Sequence, residues 1–246
     1  MKKNILPILI AAATALPVLS HAQITNPGFE SGLSGWTITA GDTANTLSDF
    51  STSTSLSGGP GPAINPTQGS QFGLLSDALL NYNSFGDTET VSQTFNINTA
   101  GTLSLNYLFT TEAVNDPAYN PNAQITLTIG ASTFTLANVS RNDLQADPTD
   151  AGPLSPGAAY EVGGDVNDIG QDTWQTASFN VSSYVGQSAT LAFSISQDAA
   201  PSDSFLNDQL AVDNIGVNAV PEPGPGALLT AGFGLLAILK LRGKKS

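Results

Sequence analysis

Cysteine is absent from this 246-residue sequence. That removes disulfides, thiol nucleophiles and thiolate metal sites together. The one histidine is His21 and the one methionine is Met1. Between residues 23 and 219 there is also no lysine, and Arg141 is the sole basic residue. Histidine-based triads, zinc–histidine sites and Schiff-base lysines are therefore unavailable to that stretch. It carries nineteen of the twenty acidic residues, for a net charge of −18. With no cationic surface to neutralise phosphates, nucleic-acid binding is excluded, and so is attraction of this stretch to anionic lipid. Its charge either recruits cations or keeps a surface protein soluble. Paired carboxylates remain available for glycoside hydrolysis, but nineteen acidic residues without a motif select no pair.

The remaining basic residues lie at the two ends. Lys2 and Lys3 precede an uncharged apolar run, Ile5 to Leu19, and Ser20-His21-Ala22 follows it. This order is that of a secretory signal, with small residues at the two positions a signal peptidase reads, so residues 1–22 are expected to be cleaved between Ala22 and Gln23. Pro7 and Pro17 argue against a regular core helix there. At the other end, Pro221-Glu222-Pro223 is followed by an apolar run from Gly226 to Leu239 and by Lys240, Arg242, Lys244 and Lys245. Fourteen helical residues reach about 21 Å, short for a bilayer core of about 30 Å. The basic cluster would hold the C-terminus in the cytoplasm and leave the acidic stretch outside.

This C-terminal arrangement, residues 220–246, resembles the PEP-CTERM sorting signal. The resemblance implies that Pro221, Glu222 and Pro223 form the sorting motif, that the apolar run is a short transmembrane helix, and that an exosortase processes the tail. It further implies a cell-surface or extracellular location in a bacterium that makes exopolysaccharide.

Residues 23–219 read as one all-β domain. Apolar residues alternate at Val91, Phe95 and Ile97, at Leu103, Leu105, Tyr107 and Phe109, and at Ile125, Leu127 and Ile129. The same spacing marks the segments around Phe134, Phe179, Phe193 and Ile215. With Phe29, Trp36–Ile38 and Phe72–Leu75, about ten strands are expected. The economical arrangement is a two-sheet jelly-roll sandwich. Ala40–Pro66, Asn115–Asn122 and Asn142–Asp172 read as long loops, the last with seven acidic residues. Asp198, Asp203 and Asp208 read as part of a loop leading into the last strand, with Asp213 the one positioned residue.

Asn26-Pro27-Gly28-Phe29-Glu30 with Gly32…Trp36, and Asp213-Asn214-Ile215 near the end of the domain, resemble the ends of carbohydrate-binding jelly rolls. The resemblance implies that the first and last strands lie side by side and that a structural calcium sits near their junction. Glu30 and Asp213 would then supply carboxylate oxygens, with backbone carbonyls completing the shell. Phe29 and Trp36 become core residues. The alternative for Glu30 and Asp213 is turn and strand-end hydrogen bonding without metal. Asp165, Asn167 and Gly170 fit an EF-hand loop, but Ile169 and Thr176 do not, and an acidic solvated loop is the better reading. Tyr82, Phe85, Tyr119, Tyr160 and Trp174 are the aromatics placed in or beside loops, where rings can stack on sugars.

The expectation is an exported, exosortase-sorted, non-enzymatic surface or matrix protein that contacts exopolysaccharide or envelope glycan. Its partners would be signal peptidase, exosortase and the glycan, with a membrane contact through the tail and none with nucleic acid. The alternatives are a carboxylate-dependent glycan hydrolase or lyase, and a purely structural matrix protein.

Overall fold

The computed structural model describes residues 24–39, 50–54, 64–76, 88–111, 120–146, 169–171, 173–196 and 208–219. The signal segment, the cleavage position Ala22/Gln23, the tail with Pro221, Glu222 and Pro223, and Tyr82, Phe85, Tyr119 and Tyr160 all lie outside them. Among the described residues, no helix is long and apolar enough to cross a membrane.

The described residues form the expected all-β, two-sheet sandwich. One sheet takes β1 (Thr37–Thr39), β4 (Thr88–Asn96), β10 (Ser188–Ser196), β6 (Asn122–Ile129) and β7 (Ser132–Ser140), in that spatial order. The other takes β2 (Phe50–Ser53), β3 (Phe72–Ser76), β11 (Gln209–Ala219) and β5 (Gly101–Thr111). Its far edge is made by β8 (Ile169–Gly170) and β9 (Gln175–Asn180), which both pair with β5. We call these the first and second sheets. Every strand pairing within them is antiparallel.

Period-two alternation makes the core. Val91 and Phe95 of β4, Leu191 and Phe193 of β10, and Ile125 and Leu127 of β6 are buried on the inner side of the first sheet. Leu103, Leu105 and Phe109 of β5 and Leu210, Val212 and Ile215 of β11 answer them from the second. Full burial of each such side chain is worth about 1.5–3 kcal/mol. Phe29 and Trp36 join this core as expected: their rings stack at 5.1 Å, and Trp36 lies 5.3 Å from Phe193. Gln93 points inward among these apolar groups, and its amide is satisfied. Oε1 accepts from Thr25 N at 2.6 Å, and Nε2 donates to Thr25 O and Gly35 O, each at 2.9 Å. One buried amide thus ties the N-terminal segment across the end of the sandwich, and leaving it unpaired would be costly.

Four expectations are corrected. Phe29 is in a turn with φ 58°, not in a strand. The Ala40–Pro66 and Asn142–Asp172 segments contain β2 and β8, and a short helix, α1 (Arg141–Ala146), runs from the end of β7 into the second of them. The last strand begins at Gln209, so Asp213 lies inside it rather than at its entrance. The first and last strands do not pair: β1 hydrogen-bonds to β4, and β11 lies between β3 and β5. The N-terminal segment reaches β11 where Ile215 N donates to Pro27 O at 3.3 Å.

Candidate functional site

Two features stand out: a strap held by carboxylates on the outside of the second sheet, and an uncharged outer face on the first.

The strap runs from Ile64 to Gln71. Where β3, β5 and β11 meet beneath the strap they are apolar on both faces, because the outward Phe72, Leu108 and Ala211 form a small second core with Ile64, flanked by Leu74 and Trp174. The strap covers that patch. Trp174 closes it from the side, edge-on to Phe72 with ring centroids 5.5 Å apart and Nε1 donating to Asn65 O at 2.9 Å. Its indole is thus engaged in the fold, and half-buried.

Asp213 and Glu30 fasten the strap. A β-bulge in β11, between Asp213 and Gly216, adds one residue opposite β5, and Asn214 takes φ 52° to make it. The extra residue returns Ile215 to the core and leaves Asp213 on the outer side. There it is fully buried beneath the strap. Its Oδ2 accepts from Thr67 N at 2.6 Å, Thr67 Oγ1 at 2.8 Å and Gln68 N at 2.9 Å, while Oδ1 accepts from Asn214 N at 2.7 Å. Beyond Gly69, Glu30 takes Ser70 and Gln71: Oε1 accepts from Ser70 N at 2.7 Å and Gln71 N at 2.9 Å, and Oε2 from Ser70 Oγ at 2.6 Å. The Ser70 hydroxyl, then the amides of Gln71 and Ser70, hold the Glu30 carboxyl below the usual glutamate range. The two acids that sequence reasoning paired both bind the strap, Asp213 at Thr67 and Gln68 and Glu30 at Ser70 and Gln71. That reasoning did not see that the strap is what joins them.

The donor set around Asp213 has oxygens suited to a hard cation. A Cβ at Gly28 would stand 3.6 Å from both Asp213 Oδ1 and Gln68 Oε1, so the missing side chain leaves a niche faced by two oxygens. Oδ1 and Glu30 Oε2 each accept one hydrogen bond from the protein and keep further lone pairs. Among the described residues no three acidic, histidine or cysteine side chains gather as a metal cluster. Any further cation ligand drawn from the described residues would therefore be neutral oxygen.

The outer face of the first sheet is built differently. Strand register aligns Thr39, Thr90, Ser194, Gln124 and Asn138 in one row across all five strands. Thr37, Ser92, Ala192, Thr126 and Thr135 form the next, and Thr94, Thr190, Thr128 and Thr133 a third. Hydroxyls meet between strands at Thr94–Thr190 (2.8 Å) and Thr128–Thr133 (3.0 Å). Rows of this kind repeat about 4.8 Å across strands and about 6.8 Å along them. The charged residues among those described are Glu30, Glu89, Arg141, Asp143, Asp208 and Asp213, and none belongs to this face. Glu89, Arg141, Asp208 and Asp213 are buried, and Asp143 accepts from Ser140 N and Oγ at the start of α1.

No family model matches the chain, and no curated protein does. Among solved structures it is similar to the carbohydrate-binding module TmCBM61 in complex with β-1,4-galactotriose, at 12% identity and a TM-score of 0.42, covering 82% of this chain and 100% of that one. It is similar to CBM28, a carbohydrate-binding module specific for non-crystalline cellulose, at 11% identity and a TM-score of 0.42, over 81% of this chain and 96% of that one. A third likeness is to the enzymatically active domain of bacteriophage CBA120 tailspike protein 4, at 12% identity and a TM-score of 0.38, over 81% of this chain and 21% of that one. All three likenesses are distant.

Proposed function

We propose that the chain is an exported, tail-sorted surface or matrix protein whose sandwich contacts uncharged glycan without catalysing a reaction. The observation that carries the reading is the five-strand hydroxyl and amide face. In a domain with net charge −18, the described residues of this sheet surface carry no charge. Hydroxyls and amides both donate and accept, which suits the hydroxyls of sugars. Export and sorting rest on the order of the sequence: a basic and apolar leader before Gln23, and Pro221-Glu222-Pro223 before an apolar run and a basic end. The non-catalytic reading is supported by Glu30, Asp143 and Asp213, whose carboxylates accept hydrogen bonds that hold the strap and α1.

A structural calcium belongs to the same reading. Asp213 and Gln68 would hold it beside Gly28, with Glu30 the second carboxylate that the resemblance to carbohydrate-binding jelly rolls implies. The chain's own contribution is to keep those oxygens together through the strap.

A panel of immobilised neutral and carboxylated polysaccharides, probed with the full-length protein, tests the function. Retention on neutral glycans supports the reading, and no retention on any glycan refutes it. Reducing-sugar release from any of them would favour a hydrolase.

A further inference from the structure

We propose that the protein pairs with a second copy of itself through the outer edge of β7, which among the described residues pairs only with β6. The two flanks of the sandwich are unequal. On one flank the edge strands β1 and β2 have three and four residues. On the other, β7 has nine and β9 has six. Open edges are templates for pairing, and proteins blunt them with charge, proline or shortness. Strand β7 reads Ser-Thr-Phe-Thr-Leu-Ala-Asn-Val-Ser, with no charged residue and no proline. Its one edge device is a bulge, where the register to β6 shifts between Ile125 and Thr126 and leaves Leu136 extra. The stretch before it, Ser132 to Thr135, remains regular.

That stretch is self-complementary. A two-fold axis at Phe134 sets Phe134 against its own copy on the inner side and Thr133 against Thr135 of the copy on the outer side. Aromatic pairs and threonine pairs are among the favourable cross-strand combinations. Phe134 is half-buried, and its ring already packs against Phe179 of β9 at 4.6 Å and Tyr184 at 5.9 Å. Val185, next in the chain, is 47% exposed. A second copy would therefore extend an aromatic seam and join the two first sheets into one. A C2 contact of this kind is closed and isologous.

Charge selects the second copy over an oppositely charged partner. A cationic protein would be drawn to the acidic segments, whereas the β7 edge offers it nothing. Two copies at −18 repel each other at long range, and only a neutral seam lets them approach. Association should therefore strengthen with salt, the reverse of an interface made of opposite charges.

Sedimentation velocity of the full-length chain in mild detergent, over a range of protein and salt concentrations, is the test. The expected result is a monomer–dimer equilibrium that tightens roughly tenfold between about 0.05 and 0.5 M salt. Thr135→Glu should weaken it about tenfold, because the two glutamates then lie diagonally across the two-fold, about 7–8 Å apart, on a seam that otherwise carries no charge. Thr133→Lys combined with Thr135→Glu should restore it, because each glutamate then faces the partner's lysine. Thr94→Glu, exposed on the same sheet face but on β4, should leave it unchanged. A monomer under all conditions would overturn the proposal, and so would a dimer indifferent to Thr135→Glu.

Discussion

The carboxylate of Asp213 accepts both the amide and the hydroxyl of Thr67, 146 positions earlier in the chain, at 2.6 and 2.8 Å. A buried charge on the last strand thereby fixes a strap that precedes the third. The group is fully buried and takes four hydrogen bonds, so its removal strands donors as well as breaking a contact. Asp213→Ala is expected to cost about 3 kcal/mol, on the order of 10 °C in melting temperature. A thermal melt of the full chain checks this. Asp213→Asn should cost less, since the amide oxygen still accepts.

Glu30 gives the strap a pH dependence. Its folded-state carboxyl is held below the usual range by Ser70 and Gln71. A depressed carboxylate stabilises the fold above its unfolded pKa, and that contribution is lost as pH falls through the folded one. Unfolding should therefore become easier with acid below the ordinary glutamate range. Glu30→Gln should flatten that part of the melting-temperature profile and lower the plateau above it. The group is solvent-accessible, so the shift should be small and reduced by salt.

Calcium should raise the melting temperature beyond sodium chloride at matched ionic strength. A ligand that binds the native state alone at a hundredfold excess over Kd adds about 2.7 kcal/mol. Asp213→Asn and Gln68→Ala should each reduce the calcium-specific part of the shift. Equal shifts in calcium and in the salt control would remove the metal from the account.

The strands legible in the sequence were those with one buried face. Leu103-Ser104-Leu105 and Ile125-Thr126-Leu127 alternate because one side meets the core and the other meets water. The outward row of threonines on β4, β6, β7 and β10 was written in the same alternation, as its polar half. The second core was harder to see. Phe72-Gly73-Leu74-Leu75, Leu108-Phe109 and Leu210-Ala211-Val212 do not alternate, and unbroken apolar runs mark strands covered on both faces. That was the available signal for the strap. The bulge at Asn214 and the short strands β2 and β8 left no comparable trace, since pairing with distant segments creates them.

The two ends of the chain make separate predictions. Protein recovered from its native host should begin at Gln23, and intact-mass analysis showing retained residues 1–22 would contradict this. Deleting Pro221–Pro223 should spare export but leave the tail unprocessed in a strain with its exosortase. Equal processing of the wild type and the deletion would assign those prolines no sorting role.

The most direct test of the glycan reading is the affinity of the full-length protein for an insoluble neutral polysaccharide, compared with Thr126→Glu and Thr190→Glu. Both residues lie on inner strands of the uncharged face, away from the strap; Thr126 faces Thr135 of β7, and Thr190 stands one strand further in. The account predicts that the wild type is retained on neutral glycan, that a carboxylated polysaccharide retains it poorly, and that each substitution weakens retention about tenfold with little change in melting temperature. Retention that both substitutions leave intact, or a preference for the carboxylated polymer, would contradict it.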